Sequence, residues 1–196
     1  MKKKVITISR EYGSGGHNIA KELAKKLGYT YYDKKLIEQV AENTLLPEEY
    51  IKEYGEYEAK PNIFSNFFMS KTSKDGQLYD YLFREQKKVI EDIANKGNCV
   101  IVGRSADFYL KDRDDTLNVF IFADKPFCVG RTMMKENLTL EEARKRIDEM
   151  NEKRRLNYKR CTKQEWGAKE NYDVLLNSSH LGIDGCVEFL EKLLQE

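Results

Sequence analysis

The chain has little of what metal sites and disulfide scaffolds require. Its 196 residues hold two histidines and four cysteines. Cys99, Cys128, Cys161 and Cys186 stand far apart with no C-x-x-C pair, which excludes the usual zinc spacings. Cys99 and Cys186 fall in apolar runs and read as small core residues. Three prolines and twelve glycines exclude a collagen-like or proline-rich disordered chain. No apolar run is long enough to span a membrane. Val5 to Ile8, interrupted by Thr7 and preceded by basic Met1 to Lys4, is too short for the apolar core of a secretory signal. A cytoplasmic protein is therefore expected, without a membrane partner and without a disulfide framework.

Charge of one sign is also lacking. Lys and Arg number 34 against 33 Asp and Glu, a formal net charge of +1. Global charge gives no reason to expect a nucleic-acid partner, so any anion site must be local. What remains is 40% hydrophobic and 34% charged. That composition suits one soluble domain over residues 1–196, large enough for a sizeable core and an inserted lobe.

Val5-Ile-Thr-Ile8 is a β-branched run and reads as a strand. Ile19, Ala20, Leu23, Ala24 and Leu27 recur at helical spacing, and Gly28 stops that helix. Thr30 to Tyr32 reads as a second strand, and Asp33 can cap a helix to about Glu42. Residues 44–77 change character: acidic first, then greasy at Phe64, Phe67, Phe68 and Met69, and punctuated by Pro47, Gly55, Pro61 and Gly76. They read as a small, mostly helical insertion. A helix follows from about Leu78 to Lys96. Cys99 to Val102, Leu117 to Phe122 and Tyr172 to Leu176 read as strands, and Thr139-x-x-Glu142 is a capping box heading a long charged helix. Short apolar strands alternating with helices predict an α/β fold on a five-stranded parallel sheet.

Ligands of such sheets sit beyond the carboxyl ends of the strands. Ser9-Arg-Glu-Tyr-Gly-Ser-Gly-Gly-His17 follows the first strand and opens the first helix. Glycines let backbone N–H groups turn around an anion, and the helix aims its positive dipole end at the same point. The standard phosphate loop is G-x-x-x-x-G-K-[S/T]. With Gly15 as its last glycine, Arg10 stands at the first glycine, Gly16 at the lysine and His17 at the hydroxyl. Arg10 or another base could supply the missing charge, and Ser14 or Ser9 a hydroxyl. Gly103-Arg104-Ser105-Ala106-Asp107 follows the third strand, so Arg104 could fork onto a phosphate or pair with Asp107. Asn151 to Lys163 carries six Lys or Arg against one Glu, either a basic flap closing on phosphates or a solvated helix end. Asp33 could hold a sugar hydroxyl or a magnesium-bound water, and Arg131 could face the phosphates. Phe64 to Phe68 could stack a base or form local core. His17 could donate to phosphate or simply lie at the surface.

In order along the chain, five segments resemble the cytidylate kinase-like family, a nucleoside monophosphate kinase branch of the P-loop NTPases. They are Ile6-Thr-Ile-Ser-Arg-Glu-Tyr-Gly-Ser-Gly-Gly16, Tyr31-Tyr-Asp-Lys-Lys-Leu-Ile37, Val102-Gly-Arg-Ser-Ala-Asp107, Tyr172-Asp-Val-Leu-Leu-Asn-Ser-Ser179 and Leu181-Gly-Ile-Asp184. The opening motif is the most specific part and 44–77 the least similar. The resemblance implies a three-layer P-loop nucleoside kinase fold with a five-stranded parallel sheet, a small helical NMP-binding insertion at about 44–77 and a basic lid at about 135–165. It implies ATP and Mg2+ as cofactors, with transfer of the γ-phosphoryl group to a nucleoside monophosphate such as CMP or dCMP. Carried over, Ser9, Arg10, Gly13, Ser14, Gly15, Gly16 and His17 would hold the donor phosphates. Arg10, Arg131 and Arg154 would be catalytic. Asp33, Arg104, Asp107 and Tyr158 would bind substrate, and no residue is assigned as a metal ligand. Lid motifs of this kind often carry Asp three residues before the arginine; here Asn151 stands there. Two other readings stay open: a non-catalytic nucleotide-binding regulator, and a kinase of another small molecule. The partners expected are small nucleotides, and the state a monomer or homodimer.

Overall fold

The computed structural model describes residues 3–44, 46–48, 51 and 74–195. Strand β1, Val5–Arg10, is buried along its whole length. It pairs in parallel with β3, Cys99–Val102, on one side and β4, Thr116–Phe122, on the other. Burial on both faces explains why these strands read as mostly apolar runs and not as strictly alternating ones. β2, Thr30–Tyr32, and β5, Val174–Asn177, form the two edges, giving the all-parallel order β2-β3-β1-β4-β5.

The helices cover both faces. On one lie α1, Gly16–Leu27, and the last helix, α7, Ser178–Gln195. Ile19 and Leu23 of α1 and Val187 and Leu190 of α7 meet Ile6, Ile8, Val119 and Ile121 of the sheet. On the other face lie α2, Lys34–Thr44, and α3, Lys74–Lys96. Leu36, Val40, Leu82 and Ile90 there meet Val5, Cys99 and Ile101. These are the three layers expected. The short α4, Ala106–Tyr109, follows β3. Helices α5, Lys125–Glu136, and α6, Leu140–Thr162, pack on each other through Cys128, Val129, Ala143 and Ile147.

Local signals explain the boundaries. Gly28 adopts φ 67° and its N–H closes α1 on Ala24 and Lys25 carbonyls. Thr139 and Glu142 form the reciprocal capping box at the start of α6. Strand β5 starts at Val174, later than Tyr172, because Tyr172 closes a 3-10 turn over Lys169–Asn171, its N–H donating to Lys169 O; its ring lies against Phe120, 5.0 Å between centroids. Most of the expected insertion at 44–77, including Phe64 to Phe68, lies outside the described residues. The four thiols are free. Among the described residues, no helix is long and apolar enough to cross a membrane.

Candidate active site

The central strand β1 opens directly into the glycine loop, at the middle of the sheet's carboxyl edge. Glu11 N–H continues the sheet by donating to Ile121 O at 2.9 Å. Gly13 and Gly15 both take φ 84°, which turns the chain back into α1. Ser14 is fully buried and its hydroxyl donates to Glu11 O at 2.9 Å. Tyr12 N–H donates to Asn151 Oδ1 at 2.7 Å, so α6 touches the loop. The N–H groups of Gly13, Gly15 and His17 donate to no protein acceptor among the described residues. Unspent amides at a helix N-terminus, with the helix dipole behind them, form an anion cradle. Arg131, on α5, lies over this loop: a Cβ on Gly15 would stand 3.3 Å from its guanidinium carbon.

Three arginines from distant parts of the chain meet beside the loop. Arg10 ends β1, Arg104 follows β3 and Arg154 sits on α6, and they are 8%, 4% and 7% exposed. With Ser9, Gly103 and Tyr158 they line one cavity of about 20 Å³. Arg154 Nη1 donates to Arg10 O at 2.8 Å. Arg104 Nη1 donates to Ile51 O at 2.8 Å, and Gln86 brackets it, its Nε2 donating to Arg104 O at 3.3 Å. Each of these guanidinium bonds ends on a neutral carbonyl oxygen. The chain reaches this geometry through backbone strain. Gly103, Arg104 and Ser105 are left-handed in succession, at φ 69°, 61° and 53°. That conformation costs a non-glycine residue about 1 to 2 kcal/mol. Strain of this kind collects at functional sites, and here it swings Arg104 off the strand into the cavity.

Asp107 forms the floor. Its Oδ1 accepts from Ser9 Oγ at 3.2 Å and its Oδ2 from Tyr158 Oη at 2.6 Å. It pairs with these hydroxyls, and among the described residues no ion pair joins it to Arg104. Burial pushes its carboxyl up to about 6, against the lowering effect of the Tyr158, Ser9 and backbone hydrogen bonds. Burial also raises Tyr158 and Tyr172, next to it. A carboxyl raised in the fold gives stability that is complete below its unfolded value, near 4, and lost as pH climbs through 6. Urea denaturation from pH 4 to 8 should show that loss, of order 3 kcal/mol. Asp107→Asn should flatten it; a variant running parallel to the wild type would refute a titrating carboxyl at this floor.

The loop's far side is tied by His17. His17 Nδ1 stands 3.2 Å from Asp33 Oδ2 and 3.0 Å from Tyr31 Oη. Burial would raise Asp33, but the His17 hydrogen bond and the charges of Arg10, His17 and Arg104 outweigh it and hold the carboxyl below its ordinary value. Asp33 thus reaches the glycine loop itself as a charged group.

Ser9 to His17, Asp33, Arg104, Asp107, Arg131, Arg154 and Tyr158 lie at this sheet edge, but the basic flap does not form as a unit. Of its six cations, Arg154 alone lines the cavity. Arg155 pairs with Glu152 and Lys159 with Glu165 at the surface. Arg160 lies 3.4 Å over the Tyr79 ring, and Lys163 donates to Arg160 O. The helix turns most of the run outward, and the inward stripe is Asn151, Arg154, Asn157 and Tyr158. Sequence reading missed Tyr12, whose ring lies 5.6 Å from the Arg154 guanidinium, and Gln86, fully buried beside Arg104. A buried glutamine in an otherwise apolar helical stripe was the available signal for Gln86. A second, open cleft of about 620 Å³ runs between α6 and the β4–β5 face, lined by Glu11, Phe120, Phe122 and Trp166.

A five-stranded parallel sheet with a glycine loop after its central strand and helices on both faces is the α/β fold of the P-loop kinases. Solved structures share it. An uncharacterized protein from Eubacterium ventriosum aligns with a TM-score of 0.76 at 24% identity, over 98% of this chain and 99% of that one. Shikimate kinase from Bacteroides thetaiotaomicron aligns with a TM-score of 0.58 at 16% identity, over 98% and 99%. The sequence profile of the cytidylate kinase-like family matches residues 5–180, and the chain belongs to that family. A cytidylate kinase from Archaeoglobus fulgidus is 29% identical over 194 residues, covering 97% of this chain and 94% of the relative.

Proposed function

We propose that this protein is a nucleotide kinase that moves the γ-phosphoryl group of ATP to a nucleoside monophosphate, CMP or dCMP first among them. The observation that carries the reading is the convergence of Arg10, Arg104 and Arg154 beside the unspent amides of Gly13, Gly15 and His17. Phosphoryl transfer asks little covalent chemistry of a protein; it needs alignment and neutralised charge. The loop amides and Arg131 hold the donor phosphates. Arg10 and Arg154 face the transferring group, and Arg104 holds the acceptor phosphate with its fork. Asp33 and Tyr158 sit to either side, ordering the donor loop and the floor on Asp107.

The residues fit a magnesium–phosphate pair. Ionised Asp33 and the Ser9 hydroxyl are oxygen donors beside the loop, and magnesium takes few protein ligands when phosphates supply the rest. Asp33 and Ser9 would hold magnesium, which would supply charge neutralisation to the phosphates. A cavity of about 20 Å³ holds roughly one water and no phosphoryl group. A phosphoryl group held among the arginines would therefore need this cavity to widen, with the α6 wall that carries Arg154 moving away from Arg10. Return of that wall would exclude water from the transfer.

The same small cavity, with the missing lysine, favours the second reading, a nucleotide-binding regulator without turnover. Titration with ATP, followed by ADP release against CMP, dCMP, UMP, AMP, nucleosides and small alcohols, separates the two. A kinase gives acceptor-dependent ADP release, fastest with one monophosphate. Binding with no release for any acceptor would overturn the kinase reading, and release with an alcohol alone would move the acceptor class.

A further inference from the structure

The loop departs from the standard phosphate loop twice where charge is concerned, and the structure makes the two departures one. Arg10 stands where glycine is usual, and Gly16 where lysine is usual. A Cβ built on Gly16 would lie 2.5 Å from Arg10 Cβ and 3.0 Å from Arg10 Cγ. Ile121 Cβ closes the other side at 3.3 Å. The collision is with the root of the Arg10 side chain, fixed on the central strand, and not with a tip that could swing away. Ile121 is fixed as well, since it pairs with Arg10 in register across β1 and β4. Positions 10 and 16 therefore share one volume, and a side chain fits at one or at the other.

We propose that the two positions have exchanged roles: Arg10, rising from the end of β1, supplies the cation to the donor phosphates that the standard loop takes from the helix side, and Gly16 is the vacancy this demands. Arg10 lines the arginine cavity and is 8% exposed. Its stem starts within 2.5 Å of where a lysine at 16 would start, so the two heads reach the same region. The exchange replaces a point charge by a planar fork able to hold two phosphate oxygens at once. The phosphate half of this inference rests on the kinase reading; the steric half does not.

The test is a cycle of Arg10→Gly, Gly16→Lys and the double variant, read by thermal melting and by calorimetric ADP affinity, neither of which needs turnover. Gly16→Lys alone should melt several degrees lower and lose ADP binding. Arg10→Gly should stay folded but bind ADP at least about tenfold more weakly, the loss expected for one charged hydrogen-bonding group. The double variant should regain the stability that Gly16→Lys lost and bind ADP more tightly than either single variant. A double variant as unstable as Gly16→Lys would refute the shared volume. Restored stability with unchanged ADP affinity in Arg10→Gly would refute the phosphate role of Arg10. A wild type that binds no ADP would sink that role together with the kinase reading, while the melting cycle would still decide the steric claim.

Discussion

Arg154→Ala is expected to lower turnover about 100-fold, the size of effect seen when one preorganised donor is removed from a transferring group. Arg154 reaches the site because of where it falls on α6. Asn151, one turn earlier, takes the Tyr12 amide, and Tyr158, one turn later, takes Asp107. Between them Arg154 donates to Arg10 O and lies over the Tyr12 ring. Its neighbours thus hold α6 on the loop without it, and the substitution removes charge more than architecture. The loss should fall on kcat, with the KM for ATP little changed, because the charge is needed most as the phosphoryl group moves. Arg154→Lys should recover only a small part, since an ammonium lacks the fork. Steady-state rates for the two variants check this, and an alanine variant with wild-type kcat would remove Arg154 from the chemistry.

Gly13→Ala should be the most damaging substitution of a single small residue. A Cβ there would stand 2.7 Å from Cys128 O and 2.9 Å from Cys128 Cα, against the backbone of α5. The site also needs φ 84°, which costs a residue with a Cβ about 1 to 2 kcal/mol. Overpacking adds about 1 to 3 kcal/mol, so a total loss near 3 kcal/mol is expected in urea denaturation. Arg131 lies on α5 one turn past Cys128, so pushing that helix outward draws Arg131 off Gly15 and weakens nucleotide binding as well. Gly28→Ala is the control. Gly28 also has positive φ, 67°, yet nothing lies within 4 Å of its added Cβ. It should lose only the backbone cost of about 1 to 2 kcal/mol and keep full ligand affinity. Equal stabilities for the two variants would mean that contact with α5 is unimportant.

Much of the fold is legible in the chain because its central strands are buried on both faces. β1 and β3 stand out as apolar runs bounded by polar turns, and their ends locate the site. The edge strand β5 is less legible: Tyr172 looks like strand but lays its ring against Phe120, which also meets Trp166. The loop's position is legible too, since glycines follow a strand and open a helix. Partnerships are not. Tyr158 and Asp107 are 51 residues apart, and Gln86 and Arg104 are 18 apart; no local pattern couples them. The basic run misleads for a related reason. Counting charges ignores the helical face, and only Arg154 of the six cations faces the cavity. Arg10 and Gly16 look like two separate departures in the sequence. Only the distance between their Cβ positions shows that they compete for one space.

The most direct measurement is a crystal structure of the protein with ADP and CMP. The diphosphate should lie on the Gly13, Gly15 and His17 amides, with Arg10 and Arg131 against it and α6 shifted outward. A diphosphate seated in the cleft under Trp166, with the loop amides untouched, would contradict the phosphate-cradle reading.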